Sequence, residues 1–510
     1  MPVAIVRSRA LSMGYAPEVN VEVYLANGLP SFTIVGLPDT EVRESRERVR
    51  AAIQNCGFDF PAKRLTVNLT PADLPKESGR FDLPMALGIL VASQQLSEQV
   101  IKEAEFAGEL SLSGEVRAIR GALAMASEIA LQNNKQPHPT QLYVPISCAK
   151  EAALAPGVSV IGVTDLLSLC NHLKEKQDHG VGTIKPTVNV CIQNNSITYP
   201  DFNRIIGQKT VKRGLEIAAA GGHHVLMIGP PGAGKSMLST CFPNILPAMS
   251  DAEALSSAAI LNAYGSDFTL DHWRRRPFRA PHHSASSAAL IGGGNPPRPG
   301  EITLAHHGVL FLDELPEFER RTIEMLRQPL ETGKIQISRA GYQSNFPANF
   351  QLIAAMNPCP CGWKGHPNGR CRCTNESAQR YRNRVSGPLF DRIDIHIEVN
   401  AVPAELLFNT ENSETESSAS IAQRVSVARQ YQQARQKKIN TQLDNSDIKK
   451  YASLPKKSAE FLYQVSEKFG WSARTHTHVL KLARTIADLN QIDNILHPHL
   501  VEAIQYRRWQ

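Results

Sequence analysis

Val21-Glu22-Val23-Tyr24-Leu25 alternates apolar and polar residues, the pattern of a strand with one face buried. Leu65-Thr66-Val67-Asn68-Leu69 repeats it. Between them, Glu41 to Asn55 reads as a charged amphipathic helix that ends before Gly57. Leu83 to Leu96 is largely apolar and predicts a buried helix. Residues 1–172 therefore predict an α/β domain. From Lys174 to Pro200 the chain turns polar and irregular, with Gly180, Gly182 and Pro186, which predicts a linker over 173–198. Short, largely apolar runs follow at His224–Ile228, Val309–Leu312 and Phe350–Met356, each the mark of a buried strand. They place a second α/β domain at 199–401. Residues 409–420 are polar and weakly acidic and predict a flexible loop. The remainder of 402–510 is helical in pattern, and no internal repeat is visible.

The chain has 510 residues, room for about three domains. No apolar run reaches membrane-spanning length, and no basic stretch leads into an apolar one at the start, so a cytoplasmic protein is expected. A net charge of +7 permits nucleic-acid binding without arguing for it. Cys56, Cys148, Cys170, Cys191 and Cys241 are scattered and read as small core residues; the other cysteines are clustered.

Chemistry enters at the end of the first of these runs. Gly229-Pro230-Pro231-Gly232-Ala233-Gly234-Lys235-Ser236 matches G-x-x-x-x-G-K-[ST], with a strand before it and a helix opening at Ser236. Glycines let backbone N–H groups close around phosphates. Lys235 is expected to reach the β- and γ-phosphates of ATP, and Ser236 to hold Mg²⁺. The second run ends in Asp313-Glu314. Asp313 is expected to complete the Mg²⁺ shell and Glu314 to orient the attacking water. The third ends in Asn357, which reads either as a sensor beside the γ-phosphate or as a turn residue before Pro358.

Cys359-Pro360-Cys361 and Cys371-Arg372-Cys373 bracket a glycine-rich loop. Four thiols so arranged predict a structural Zn²⁺ site, although C-x-C is tighter than the usual pair spacing. His366 is a substitute ligand, and free thiols or a disulfide are the alternatives. Three stretches are basic enough to touch a polyanion: Arg274 to His283, the loop Gly292 to Gly300 with Arg298, and Gly333 to Gly341 with Lys334 and Arg339, which reads as a strand and hairpin tip. Solvated surface is the alternative for each.

The P-loop, Arg279-Ala280-Pro281-His282-His283, Leu310 through Phe318, and Asn357 through Gly362 occur in this order. With Asn27–Pro30 and Ile34–Asp39, they resemble the magnesium-chelatase-like AAA+ ATPases of the ComM/YifB family over nearly the whole chain. The resemblance implies a Lon-protease-like N-terminal domain, an AAA+ core with a helix-2 insert, and a helical C-terminal lid. It implies ATP-dependent homo-hexamers that bind DNA without sequence specificity and drive branch migration, as in natural transformation, with recombination proteins as candidate partners. Lys235, Ser236, Asp313, Glu314 and Asn357 match the nucleotide motifs. Arg392 matches the arginine finger and Arg474 the lid's sensor arginine. Spacing alone would instead pair Arg392 with Asp391 or Asp394. The loops around Arg298 and Lys334–Arg339 match elements that face the central pore.

One departure concerns the N-terminal domain. Lon proteases use a Ser–Lys dyad, but here Arg80 falls near the nucleophile position, with Ser78 two residues away. The lysine region, Ile119 to Met125, has no lysine. Without a base the serine is not activated, so a proteolytically inactive domain is expected. Rival readings are a motor that inserts Mg²⁺ into a porphyrin, an ATP-dependent protease, and a DNA-binding scaffold without translocation.

Overall fold

The computed structural model describes the chain except residues 1–2, 12–14, 37–38, 73, 75, 77, 134–138, 189–198, 265–267, 295–296, 340–341, 366–368, 403–414 and 508–510. Contacts divide it into two units: Met1–Asn195 with Asp251–Arg274, and Ser196–Ser250 with Arg275–Gln510.

The first unit is built on a seven-stranded mixed sheet. Its spatial order is Ser31–Val35, Arg64–Thr70, Glu18–Ala26, Ala4–Arg9, Ala104–Phe106, Gln141–Pro145, Ser159–Val163. The predicted alternation holds: Val19, Val21, Val23 and Leu25 all face the core. The charged helix spans Thr40–Asn55 and starts at Asp39, whose carboxylate accepts a hydrogen bond from the Val42 N–H. The apolar helix, Asp82–Ala92, stops short of Leu96 because Gln94 turns into the left-handed region at φ 64.

Two boundaries differ from the sequence reading. The helix Leu166–His179 runs into residues read as linker, since Leu173 is still buried in the core. Beyond it the Ile184 N–H donates to His172 Nδ1 at 2.8 Å, so the first unit keeps hold of the chain. Much of the rest of the predicted linker, 189–198, lies outside the described residues. The second difference is Asp251–Arg274, read as part of 199–401 but grouped with the first unit. The cause is an alanine face. Ala258 and Ala259 on the helix Asp251–Tyr264 pack with Ala122, Leu123 and Met125, and the Leu123 N–H donates to Asn262 Oδ1 at 3.2 Å.

The second unit holds a five-stranded parallel sheet. Its order is Phe278–Arg279, Val309–Leu312, Gln351–Met356, Val225–Ile228, Ile395–Glu398. The middle three strands are buried at every position, which is why they read as largely apolar runs. Five helices of the C-terminal region follow: Ser418–Gln436, Asn445–Tyr451, Lys456–Phe469, Ala473–Leu489 and His497–Gln505. Ile421, Val425, Leu482 and Ile486 share one core with Val225, Ile353 and Ile395 of the sheet. The predicted loop at 409–420 gives way to helix at Ser418, and 403–414 lie outside the described residues. Among the described residues, no helix is long and apolar enough to cross a membrane.

Candidate functional site

Sheet register decides which distant residues meet. Ile228 pairs with Met356, and Leu312 with Ala354. The residues that follow these strands, Gly229, Asp313 and Asn357, therefore emerge at one carboxyl edge, where open α/β sheets bind ligands. Gly234 enters the helix Lys235–Cys241 at φ 91, a backbone natural only to glycine. Nothing lies within 4 Å of the Cβ positions of Gly232 or Gly234, which leaves room for phosphates against the loop.

Lys235 Nζ donates to the carbonyls of Gly229 at 2.7 Å and Pro230 at 3.0 Å, and to Asn357 Oδ1 at 3.1 Å. Burial lowers its pKa, while Asp313 and Glu314 oppose that shift. Ser236 Oγ donates to Asp313 Oδ2 at 2.6 Å. These pairs join three segments that spacing could only align. The hydroxyl and carboxylate form a donor set suited to Mg²⁺, and the loop and lysine suit a nucleotide's phosphates.

Glu314 sits at φ 53, a left-handed backbone that costs energy for a non-glycine residue and recurs at functional sites. Its carboxylate lies 3.2 Å from His283 Nδ1. The His283 ring lies tilted against that of His282, with centroids 4.0 Å apart, and meets Phe318 edge-on at 6.4 Å. The sequence reading placed His283 in a basic run and in a motif of the resemblance, without giving it a role. Its position just past the edge strand Phe278–Arg279 was the available signal.

Arg392 and Arg474 meet on one carboxylate. Arg392 Nη2 is 2.8 Å from Glu331 Oε1, and Arg474 pairs with the same oxygen. Where spacing offered Asp391 or Asp394 as partners, the ion pair seen for Arg392 is this one with Glu331. Asp394 is occupied elsewhere: burial opposes its charge, yet His478 and His223 hold it well below the usual carboxylate range. Hydrogen bonds from Arg392, reinforced by Arg474, hold Glu331 below its ordinary value. Arg507, fully buried, donates to the carbonyls of Ile393 at 2.8 Å and Asp391 at 3.2 Å, so both neighbours of Arg392 are pinned. A cavity of about 420 Å³ lies beside Arg392, lined in part by Glu324, Arg327, Gln328 and Glu331. Nothing in the sequence marked Glu331.

The basic run from Arg274 is mostly engaged internally. Arg274 pairs with Asp251, Arg275 stacks on the Tyr199 ring at 4.0 Å, Arg276 donates to the carbonyls of Pro247 and His307 at 2.7 Å, and Arg279 chelates Glu301 at 2.5 and 2.7 Å. These internal partners give the run a role within the fold that its charge pattern alone did not show. Arg298 and Lys334 are exposed. The predicted strand Lys334–Arg339 pairs antiparallel with Tyr342–Pro347, and residues 340–341 of the predicted tip lie outside the described residues. The Arg339 side chain lies outside the described residues.

The clustered cysteines converge. Cys359 Sγ lies 3.4 Å from Cys361 and 3.8 Å from Cys371, and Cys361 lies 3.7 Å from Cys371. All four sulfurs, Cys373 included, fall within 4.8 Å of one another. A tetrahedron with metal–sulfur legs of about 2.3 Å has edges near 3.8 Å, so the thiols fit a zinc ion. A hydrogen bond from the Trp363 backbone pulls the Cys361 thiol down to about 6, toward the thiolate a metal needs. His366 and Cys191 lie outside the described residues. Cys148, Cys170 and Cys241 are buried as read, and Cys56 is half-buried.

In the first unit, Arg80 Nε donates to Ser78 Oγ at 3.1 Å and Nη2 to the Arg120 carbonyl at 3.2 Å. The serine region and the lysine-less region therefore do meet. The group facing Ser78 is a guanidinium, which stays protonated and cannot serve as a base.

Family models described as "Magnesium chelatase, subunit ChlI", "Subunit ChlI of Mg-chelatase" and "Magnesium chelatase, subunit ChlI C-terminal" match residues 201–407, 21–138 and 415–507. The uncharacterized protein YifB of Escherichia coli (strain K12) is 46% identical over 510 residues, covering 99% of this chain and 97% of that protein. Competence protein ComM of Haemophilus influenzae is 46% identical over 511 residues, with 99% and 98% covered. DNA replication licensing factor mcm6 of Schizosaccharomyces pombe is 21% identical over 339 residues, 60% of this chain and 33% of that protein. With both halves of the chain matched and identity near one half from end to end, this chain belongs to the magnesium-chelatase-like family that includes YifB and ComM.

Proposed function

We propose that this chain is an ATPase that assembles into a homo-hexameric ring and moves branched DNA, promoting branch migration while incoming DNA is integrated. The observation that carries the catalytic part is the meeting of Lys235 with Asn357 and of Ser236 with Asp313 at one sheet edge. The likeness to a competence protein and to a DNA replication factor supports DNA as the substrate.

In this reading the P-loop Gly229–Ser236 cradles the phosphates and Lys235 leaves its carbonyl partners to neutralise them. Ser236 and Asp313 hold Mg²⁺, which when bound screens phosphate charge. Glu314 orients the attacking water, and Asn357 reports the state of the γ-phosphate to the strand behind it. Arg392 reaches the nucleotide of a neighbouring subunit, and Arg474 acts as the lid's sensor. Arg298, Lys334 and Arg339 face the pore and grip the DNA backbone, so affinity falls steeply with salt and little with base sequence. Cys359, Cys361, Cys371 and Cys373 hold a structural zinc. The first unit is Lon-like in fold and inert as a protease; Ser78→Ala should leave peptide cleavage at background, and cleavage lost on that change would reinstate a protease.

The test is branch migration of a labelled four-way DNA junction with ATP. Movement that stops in Glu314→Gln is expected. If ATP is hydrolysed but no junction moves, the DNA reading fails. The matching family models, described as magnesium chelatase, favour a second reading in which the motor serves metal insertion into a porphyrin. ATPase activity stimulated by porphyrin rather than by DNA would select it.

A further inference from the structure

We propose that the four-cysteine loop braces the P-loop, so that metal occupancy and nucleotide affinity are coupled, with Gly362 as the positioning residue that joins them. The inference rests on reading the loop as a zinc site and goes beyond a purely structural role for it.

The loop leaves the sheet directly from the nucleotide site. Asn357, which accepts from Lys235, precedes the first ligand Cys359 by a single proline. Gly362 N–H then donates to the Cys359 carbonyl at 2.9 Å, which turns the chain back on itself. At Gly362 the backbone takes φ +81, and a Cβ there would lie 2.6 Å from Pro231 Cδ, 2.7 Å from its Cγ and 3.8 Å from Asn357 Cγ. The loop backbone therefore rests on the ring of a P-loop residue with no space between. Pro231 is an unyielding contact, because its ring atoms are fused to the backbone that bears the phosphate-binding amides.

Two links thus run from one loop to one phosphate site: Gly362 on Pro231, and Asn357 on Lys235. A metal that draws Cys359 and Cys361 toward Cys371 and Cys373 fixes the segment between Asn357 and Gly362 and so fixes both links. Loss of the metal leaves the four thiols held only by loop hydrogen bonds such as that from the Trp363 backbone, and the segment can retreat from Pro231. Linkage is reciprocal: if metal tightens nucleotide binding, nucleotide must tighten metal retention by the same factor.

The experiment uses the full chain after metal analysis. Zinc release to a chromogenic chelator is timed with and without a non-hydrolysable ATP analogue, and affinity for a fluorescent ATP analogue is measured before and after stripping. A coupling of about tenfold is expected in both directions. Gly362→Ala should keep one zinc per chain yet bind nucleotide about tenfold more weakly, with its zinc release no longer slowed by nucleotide. Gly365→Ala is the control: its φ is +83, but nothing lies within 4 Å of its Cβ position, so it carries the same backbone strain without the P-loop contact. It should bind nucleotide like the parent chain. Bound zinc whose release ignores nucleotide overturns the coupling. So does a Gly365→Ala as defective as Gly362→Ala, which would make loop strain the cause. A chain that holds no zinc in any preparation overturns the zinc reading itself, and this inference with it.

Discussion

Arg392→Ala is expected to lower the turnover of ATP by about 10³-fold or more while leaving nucleotide affinity nearly unchanged. A guanidinium that reaches the γ-phosphate across a subunit boundary stabilises charge that develops only in the transition state, so its loss appears in kcat rather than in binding. Within one chain Arg392 rests on Glu331, a carboxylate it shares with Arg474. The Glu331 side chain is 40% exposed and that of Arg392 only 10%, so reaching a neighbour means leaving a partly buried pair. The decisive measurement is a mixture. Arg392→Ala and Lys235→Ala are each expected to be inactive alone. Mixed, they should recover a fraction of the parent rate, because Lys235→Ala subunits lend Arg392 to neighbours with intact P-loops. A mixture that stays as inactive as its parts, under conditions where rings form, would show that Arg392 does not act in trans.

Glu314→Gln is expected to bind ATP like the parent and hydrolyse it about 10²- to 10⁴-fold more slowly. The amide preserves size and can still meet His283, which lies 3.2 Å from the carboxylate. It cannot accept a proton from water. Single-turnover hydrolysis beside equilibrium nucleotide binding separates the two steps. Hydrolysis within about threefold of the parent would remove Glu314 from the reaction. Parallel loss of binding would instead point to collapse of the strained backbone at this residue, which sits at φ 53.

The catalytic half of the site was legible for a local reason. Each central strand of the parallel sheet is buried on both faces, so it appears as an apolar run, and its functional residue is the first polar group after that run. Lys235, Asp313 and Asn357 follow this rule, with Glu314 one residue further on, and the P-loop adds a spacing that few other structures need. The thiol cluster was legible because both cysteine pairs sit within one short loop. Charge patterning did not show partners within the fold: Arg275, Arg276 and Arg279 meet Tyr199, backbone carbonyls and Glu301. A run of arginines looks alike whether it faces solvent or its own fold.

What the sequence alone determined was the chemistry available: a phosphate loop, two carboxylates at a strand end, four gathered thiols and a serine without a lysine. What only the tertiary structure decided was which partners those groups have. Glu331 beneath two arginines, His283 against Glu314, Gly362 upon Pro231 and the alanine face of Asp251–Tyr264 are contacts between residues distant along the chain. Periodicity and motif spacing encode the local backbone and the burial of one face. They do not encode which distant face is met, because that follows from sheet order and register, fixed by the packing of the whole core.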